Sequence, residues 1–590
     1  MSKYLYGAAV QGIQDFIFKT NELKHIVGAS ELVEQICTSA FKDYAVNGES
    51  IVRAAGNIKF IFNEKTDCEK AVREFPKKVM TKAPGITISQ AVVLLDDDFE
   101  TAKNDEGKLY KFGKAVDELE SRLKTQRNKV PQSVTAGLMG IKRTNNTGLP
   151  VTSFKQEGEG ETLKTYYYDD ATSAKLGMTK KYEDAEENES QIDPKLRVWD
   201  LCEKSFGIPV RSRNIAYDIS KITGKNDWIA IIHADGNGFG QVIQKVGKDK
   251  DKFKVFSRTL DVATKYAAQK AFAKLLDKDK IKTDAIIPIR PVVLDGDDMT
   301  TIIRGDLAID YATEFISAFE KYTGRMTEEE AKREEVKVEI KTWDILGKTL
   351  QEYNVFEDGK NYLTACAGIA FIKSSYPFYY GYQLAEELCG QAKKDTKALA
   401  KEGKPEKKVN KEGNEEKISY LPNSCLMFHK VQDSFITSYD DIVKRELTIT
   451  DKEYIETKNN EQILVKPVLS FKAGPYYLEM TNRYTISYLN SLVECLDSED
   501  GNGVKSGLRQ WITSRIEDKN RAIQRNKRML LVFNENDAKT IQELTKESLR
   551  FSKTKPDEKH KYDAIREDTS ICIAYDALAY HTIKNQQTKE

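Results

Sequence analysis

The chain has 590 residues, enough for three or four domains that each bury a core, and its 92 Lys plus Arg balance 92 Asp plus Glu, so no overall charge selects a nucleic-acid partner. Eight cysteines fall without a CxxC pair, which argues against a zinc ribbon or a secreted disulfide framework and for reduced thiols. No stretch reaches the roughly 20 apolar residues of a membrane span, and the opening MSKYLYGAAVQ lacks a signal-peptide core, so the reading is cytoplasmic with no membrane partner.

Tyr4 to Phe18 (YLYGAAVQGIQDFIF) begins as a strand and passes through Gln11-Gly12 into an amphipathic segment. Lys24 to Ala40 sets Ile26, Val27, Leu32, Val33 and Ile36 at helical spacing. Ile51 to Phe62 reads strand, glycine turn, strand; a charged helix follows over Glu64 to Lys82, and Ile86 to Leu95 is another strand. Residues 1–100 thus have the order of a ferredoxin-like or palm domain. Residues 101–220 read as a helical or irregular connecting region: a charged helix at Lys108 to Arg127, a turn at Asn145 to Pro150 and an exposed acidic loop at Lys180 to Asp193.

The first order of elements recurs over residues 221–400. YLYGAAVQGIQDFI corresponds to IAIIHADGNGFGQVI, IVRAAGNIKFIF to PVVLDGDDMTTII, and ITISQAVVLL to LTACAGIAFI at Leu363 to Ile372. Two ferredoxin-like palms are therefore expected, an α+β fold in which the first copy is degenerate and the second active. Ala54-Ala55-Gly56-Asn57 stands in the first copy where Asp295-Gly296-Asp297-Asp298 stands in the second. A charged stretch, 401–418, reads as a solvated loop, and 419–590 as a helical C-terminal domain. Within it the basic run Lys505 to Arg528 offers contacts to a phosphate backbone or a solvated helix face.

The chemistry falls in the second copy. Trp228 to Ile232 is an apolar run fit for a central strand, and it ends in His233-Ala234-Asp235-Gly236-Asn237-Gly238-Phe239-Gly240. DGDD between two apolar segments has the composition of a tight hairpin turn, which pushes carboxylates to a strand tip. If strand and hairpin are neighbours, Asp235 converges with Asp297 and Asp298. Carboxylates with nearby carbonyls suit Mg²⁺ or Mn²⁺ carried on a nucleoside triphosphate, the two-metal arrangement for phosphoryl and nucleotidyl transfer. His233, on the apolar strand, reads as a packed residue and not a base.

Four segments carry a resemblance: VQGIQDFIFKTNELKHIVGASELVEQI from Val10, HADGNGFG from His233, DGDD from Asp295, and CAGIAFIKSSYPFYYGYQLAEELCGQAKK from Cys366. On them the sequence resembles the large polymerase/cyclase subunit of type III CRISPR effector complexes. DGDD departs from the usual GGDD by an aspartate at a glycine position. With five histidines, no His-Asp dipeptide and an opening directly on the first palm, DNA cleavage by an HD nuclease domain is not expected, and the zinc-binding cysteines often found between the palms are missing.

What the resemblance implies is nucleotidyl transfer activated by target RNA. Asp235, Asp297 and Asp298, with the carbonyl of Gly236, would hold two Mg²⁺ or Mn²⁺ ions; Gly236, Asn237 and Gly238 would lie along the nucleotide, and Lys393 or Lys394 would reach its triphosphate. ATP is the expected substrate and cyclic oligoadenylate the expected product, with AMP joined to S-adenosylmethionine as the other product this architecture allows. Other type III CRISPR effector subunits, a guide RNA and a target RNA are the expected partners. A catalytically inactive scaffold and a free-standing GGDEF-type cyclase are the competing readings.

Overall fold

The computed structural model describes residues 3–54, 56–95, 110–128, 140–157, 163–177, 199–208, 214–223, 227–277, 281–282, 285–326, 342–405, 407–409, 415–432, 438–458, 461–481, 483–496, 501–559 and 561–585. The acidic loop expected at Lys180 to Asp193 lies outside those residues, as does part of the charged stretch 401–418.

Strands β1 (Lys3–Gln11), β2 (Gly48–Ala54), β3 (Asn57–Phe62) and β4 (Thr87–Leu95) form an antiparallel sheet in the order β2-β3-β1-β4. Period-two alternation gives β1, β3 and β4 apolar residues on both faces. Tyr6, Ala8, Phe60 and Phe62 join the main core under helices Leu23–Gln35 and Lys65–Lys82. Leu5, Ile61 and Val93 pack with Phe112, Leu119 and Leu123 of the helix Tyr110–Arg127 in a smaller second core. Gly7 permits that helix to close in, since a Cβ there would lie 2.7 Å from a Leu119 methyl. The connecting region also holds a hairpin of β5 (Ser153–Glu157) and β6 (Lys164–Tyr168), so it is not purely helical.

A second sheet is built from β7 (Trp228–Gly236), β8 (Ile289–Asp295), β9 (Asp298–Arg304) and β10 (Ala365–Lys373). A short hairpin, β11 (Lys407–Val409) and β12 (Glu415–Lys417), precedes β13 (Cys425–Lys430), which adds to the sheet in parallel with β10. The order of its central four strands, β8-β9-β7-β10, repeats that of β2-β3-β1-β4. β7 and β10 are buried along nearly their whole length, which requires the uninterrupted apolar runs WIAII and AGIAFI instead of alternation. Because β13 lies beyond residue 400, this sheet does not end where the second palm was expected to end.

The expected helical C-terminal domain needs correction. After the short strand β14 (Thr448–Thr450) come β15 (Tyr454–Lys458), β16 (Glu461–Ser470), β17 (Tyr476–Tyr477, the outer strand of the second sheet), β18 (Ser548–Pro556) and β19 (Ala564–Ile571). Five of these make a separate sheet, order β14-β16-β19-β18 with β15 also on β16. Lysine-rich strands such as SLRFSKTKP, exposed along most of their length, carry too few apolar residues to declare period-two alternation. Helices Gly501–Glu517 and Lys519–Val532 pack against one another nearby.

The basic run is likewise divided by the fold. Arg515 is only 2% exposed and donates to Asp451 (2.8 and 2.7 Å) and Glu547 (2.6 and 3.2 Å), so it ties a helix to the C-terminal sheet and faces no phosphate. Burial opposes the charge on Asp451, but hydrogen bonds from Arg515 and Lys519 outweigh it and hold the carboxyl below its ordinary range. That stabilisation is therefore present above the ordinary carboxylate pKa and lost as pH falls through the depressed one. Arg515→Ala is expected to cost about 3 kcal/mol in urea unfolding, because it removes a buried, doubly bidentate guanidinium and leaves Asp451 with Lys519 as its remaining cation.

Candidate active site

β7 and β9 are antiparallel with Ala234 opposite Met299, so continuing the register by one residue sets Asp235 opposite Asp298. β8 and β9 close through a two-residue turn in which Asp295 pairs with Asp298 and Gly296 takes the left-handed φ of 62° that the turn demands. The buried Thr264 hydroxyl clamps this turn by donating to the Gly296 carbonyl at 2.5 Å. Carboxylate oxygens of Asp235, Asp297 and Asp298 consequently lie within 4.8 Å of one another.

Three acids so close repel. Burial first, then the charge of Asp235, pushes the Asp297 carboxyl up to about 7, and burial with both neighbours raises Asp298 well above the carboxylate range. Lys393 partly compensates: its ammonium pairs with Asp235 and donates to the Gly236 carbonyl at 2.9 Å. Burial works against the charge on Lys393, yet Asp235 and Cys389 outweigh it and raise its pKa. Lys394, next along the Phe378–Lys401 helix, is exposed.

The glycine-rich segment after β7 divides in the same way. Gly236 is pressed against Asp297: a Cβ there would meet Asp297 Cβ and Oδ2, each at 2.9 Å. Gly236→Ala should therefore displace Asp297, and if the three acids hold Mn²⁺, calorimetry on the folded variant should record binding weakened about 10-fold or more. Gly238, with φ 75°, precedes the helix Phe239–Val246, whose first amides have no partner within the helix itself. Asn237 does not present its side chain to a ligand. It is buried, and its amide bonds inward to Thr364 and Cys366, so any contact with a nucleotide from this residue would have to be made by its backbone. His233 is packed as its apolar surroundings suggest, bonded to Thr300 Oγ1 at 3.1 Å and pushed down to about 4 by burial.

Three further neighbours carry no role in the sequence reading: Tyr382, Glu386 and Cys389, which with Lys393 recur at i, i+4, i+7 and i+11 on one face of the helix behind the acids, and that spacing is the signal that could find them. The N-terminal unit also reaches the site. Phe18 stacks on Tyr382 at 4.3 Å, Ser30 donates to the Val292 carbonyl, and Asn21 accepts from the Phe378 amide at 3.1 Å. Between the two units, beside Asp298, lies a cavity of about 140 Å³ walled by Phe18, Val33, Gly56, Leu294 and Tyr382, with Glu31 and Glu34 at its edge.

A four-stranded antiparallel core with three acids on two central strand ends and a helix-borne lysine is the arrangement of a palm-type domain. In agreement, residues 228–400 match the family model for the second palm domain of Cas10/Cmr2. In this domain the chain is Cas10-like, and the resemblance read from the sequence holds there.

No curated protein matches the chain. Among solved structures it is similar to a Csm1–Csm4 cassette in complex with cA4, at 12% identity and a TM-score of 0.47, over 92% of this chain and 65% of that one. It is also similar to a Csm1–Csm4 cassette in complex with pppApA, at 15% identity and a TM-score of 0.42, over 69% and 53%. A third, a Csm1–Csm4 cassette in complex with one ATP, gives 15%, 0.40, 69% and 54%. The chain thus spans between about half and two thirds of the length of these solved chains.

Proposed function

We propose that the chain is a nucleotidyltransferase subunit of a type III CRISPR effector, with the DGDD-bearing palm active and the first palm degenerate. The observation that carries the reading is the convergence of Asp235, Asp297 and Asp298 on a Cas10/Cmr2 second palm domain. Three carboxylates and a backbone carbonyl form an all-oxygen donor set, which suits Mg²⁺ or Mn²⁺, and their mutual repulsion is what a dication would relieve. Asp235, Asp297, Asp298 and the Gly236 carbonyl would hold two such ions, which when bound lower the pKa of the attacking hydroxyl and neutralise the departing pyrophosphate.

The remaining residues bind and orient. Lys393 neutralises Asp235 and reaches toward the position of a triphosphate, whereas exposed Lys394 does not. Amides at the start of the helix Phe239–Val246 can donate to phosphate oxygens, and Gly240, with open space where a Cβ would lie, lets the phosphates approach, whereas the corresponding space at Gly238 is taken by Phe356. The apolar cavity beside Asp298 offers a slot for a planar base between the two units. ATP is the substrate in this reading, and guide RNA, target RNA and other effector subunits are its partners. On the basic run, Arg521, Arg525 and Arg528 line one surface groove and would offer charge to RNA, Arg521 in exchange for its exposed pair with Glu517 and Arg525 for its bond to Gln510, whereas Arg515 is buried.

Incubating the assembled complex with labelled ATP and target RNA, with and without S-adenosylmethionine, tests the proposal. Target-dependent product lost in Asp297→Ala/Asp298→Ala supports it, and the S-adenosylmethionine arm separates a cyclic oligoadenylate from an adduct. A complex that assembles and makes nothing leaves a scaffold. Product made by the chain alone without RNA indicates a free-standing cyclase.

A further inference from the structure

We infer that Asn237 is a positioning residue for the cation site, acting through the backbone of Asp235 and Gly236 and touching neither metal nor nucleotide. The inference rests on the metal-dependent reading above and assigns a role to a lock that this reading does not use. Asn237 is the first residue beyond β7, where the ladder to β10 would otherwise end, at Gly236 opposite Ala365. Its amide N–H carries the pairing one step further by donating to the Thr364 carbonyl at 2.7 Å. The side chain adds the rest: Nδ2 donates to Thr364 Oγ1 at 3.1 Å and to Cys366 Sγ at 3.3 Å, and the Cys366 thiol donates back to Oδ1 at 3.4 Å. Thr364 Oγ1 in turn donates to the Pro422 carbonyl at 2.7 Å, and the Ala365 amide donates to Ser424 Oγ at 3.1 Å, so the lock is anchored in the chain leading to β13.

All three residues are buried, Asn237 and Thr364 at 1% exposure and Cys366 at 0%, so the network competes with no solvent and holds one geometry. What it holds is the stretch that must not move. Cys366 faces Asp235 across the ladder, and Gly236 lies so near Asp297 that an added Cβ would come within 2.9 Å of it. A lapse of the lock would let the Asp235 carboxylate and the Gly236 carbonyl drift from the other two acids. Groups that orient metal ligands from behind commonly change affinity about 10- to 100-fold when removed.

The test is Mn²⁺ binding to the full chain, followed by EPR of free Mn²⁺ well below each variant's melting temperature. Asn237→Ala and Thr364→Val should each weaken binding about 10- to 100-fold, while Cys366→Ser, which keeps a donor and an acceptor, should stay close to wild type. Ile369→Val, a core trimming on the same strand, controls for lost stability alone and should lower the melting temperature while leaving Mn²⁺ affinity unchanged. Wild-type affinity in Asn237→Ala and Thr364→Val, with binding still abolished by Asp297→Ala, overturns the inference and leaves the metal reading standing. Mn²⁺ binding insensitive to Asp297→Ala overturns both.

Discussion

Asp297→Asn is expected to make the metal-free protein more stable at pH 8 while abolishing its chemistry. Burial and the charge of Asp235 hold the Asp297 carboxyl at about 7 in the folded protein, above its value in an unfolded chain. A raised acid favours folding fully below its unfolded pKa and loses that contribution as pH climbs through the folded one, here between about 4 and 7. At pH 8 the ionised wild type carries the repulsion and the amide does not. Since the side chain is only partly covered, solvent screens some of the effect, and a gain of about 1–3 kcal/mol is expected in urea unfolding. The gain should vanish by about pH 4, where both proteins are neutral at this position. On the proposed function, nucleotidyl transfer should fall about 1,000-fold or more, because one of the three carboxylates that would hold the cations is gone. A variant that is less stable than wild type at every pH contradicts the electrostatic account of the site.

The second large effect separates two adjacent lysines. On the proposed function, Lys393→Met should lower kcat/KM for ATP about 100- to 1,000-fold, since it removes the side-chain cation that pairs with Asp235 and that is proposed to meet the triphosphate. Lys394→Met, one residue on and exposed, should change it by less than about twofold, as surface substitutions usually do. Steady-state kinetics on the assembled complex with target RNA reads both. Equal losses would mean that the helix end acts through general positive charge and not through the contact with Asp235.

How much of this was legible in the sequence follows from physical reach. The apolar runs WIAII and AGIAFI declare buried strands because a strand covered on both faces has no use for polar residues, and DGDD declares a turn because a glycine at positive φ is needed there. The acids could be named, since strand end and hairpin tip fall on elements that a short register step brings together. Which lysine of a pair turns inward depends on helix phase against a neighbour, and sequence spacing alone did not resolve Lys393 from Lys394. Asn237 was read as a ligand contact because its motif is glycine-rich, but its partner Thr364 is far away in the chain, and only the fold reveals that its amide points inward. The C-terminal sheet is hidden for a different reason: β14 has three residues, β18 and β19 are interrupted by charged and polar residues, and all lean on tertiary pairing to β16 or to one another instead of on their own pattern.

The most direct measurement is anomalous diffraction from crystals of the chain grown with Mn²⁺ and a non-hydrolysable ATP analogue. The account predicts Mn²⁺ peaks at about 2.1–2.2 Å from carboxylate oxygens of Asp235 and of the Asp297-Asp298 tip, with the analogue's triphosphate on the side of Lys393. Peaks elsewhere with the three acids bare, or an analogue bound away from them, would contradict it.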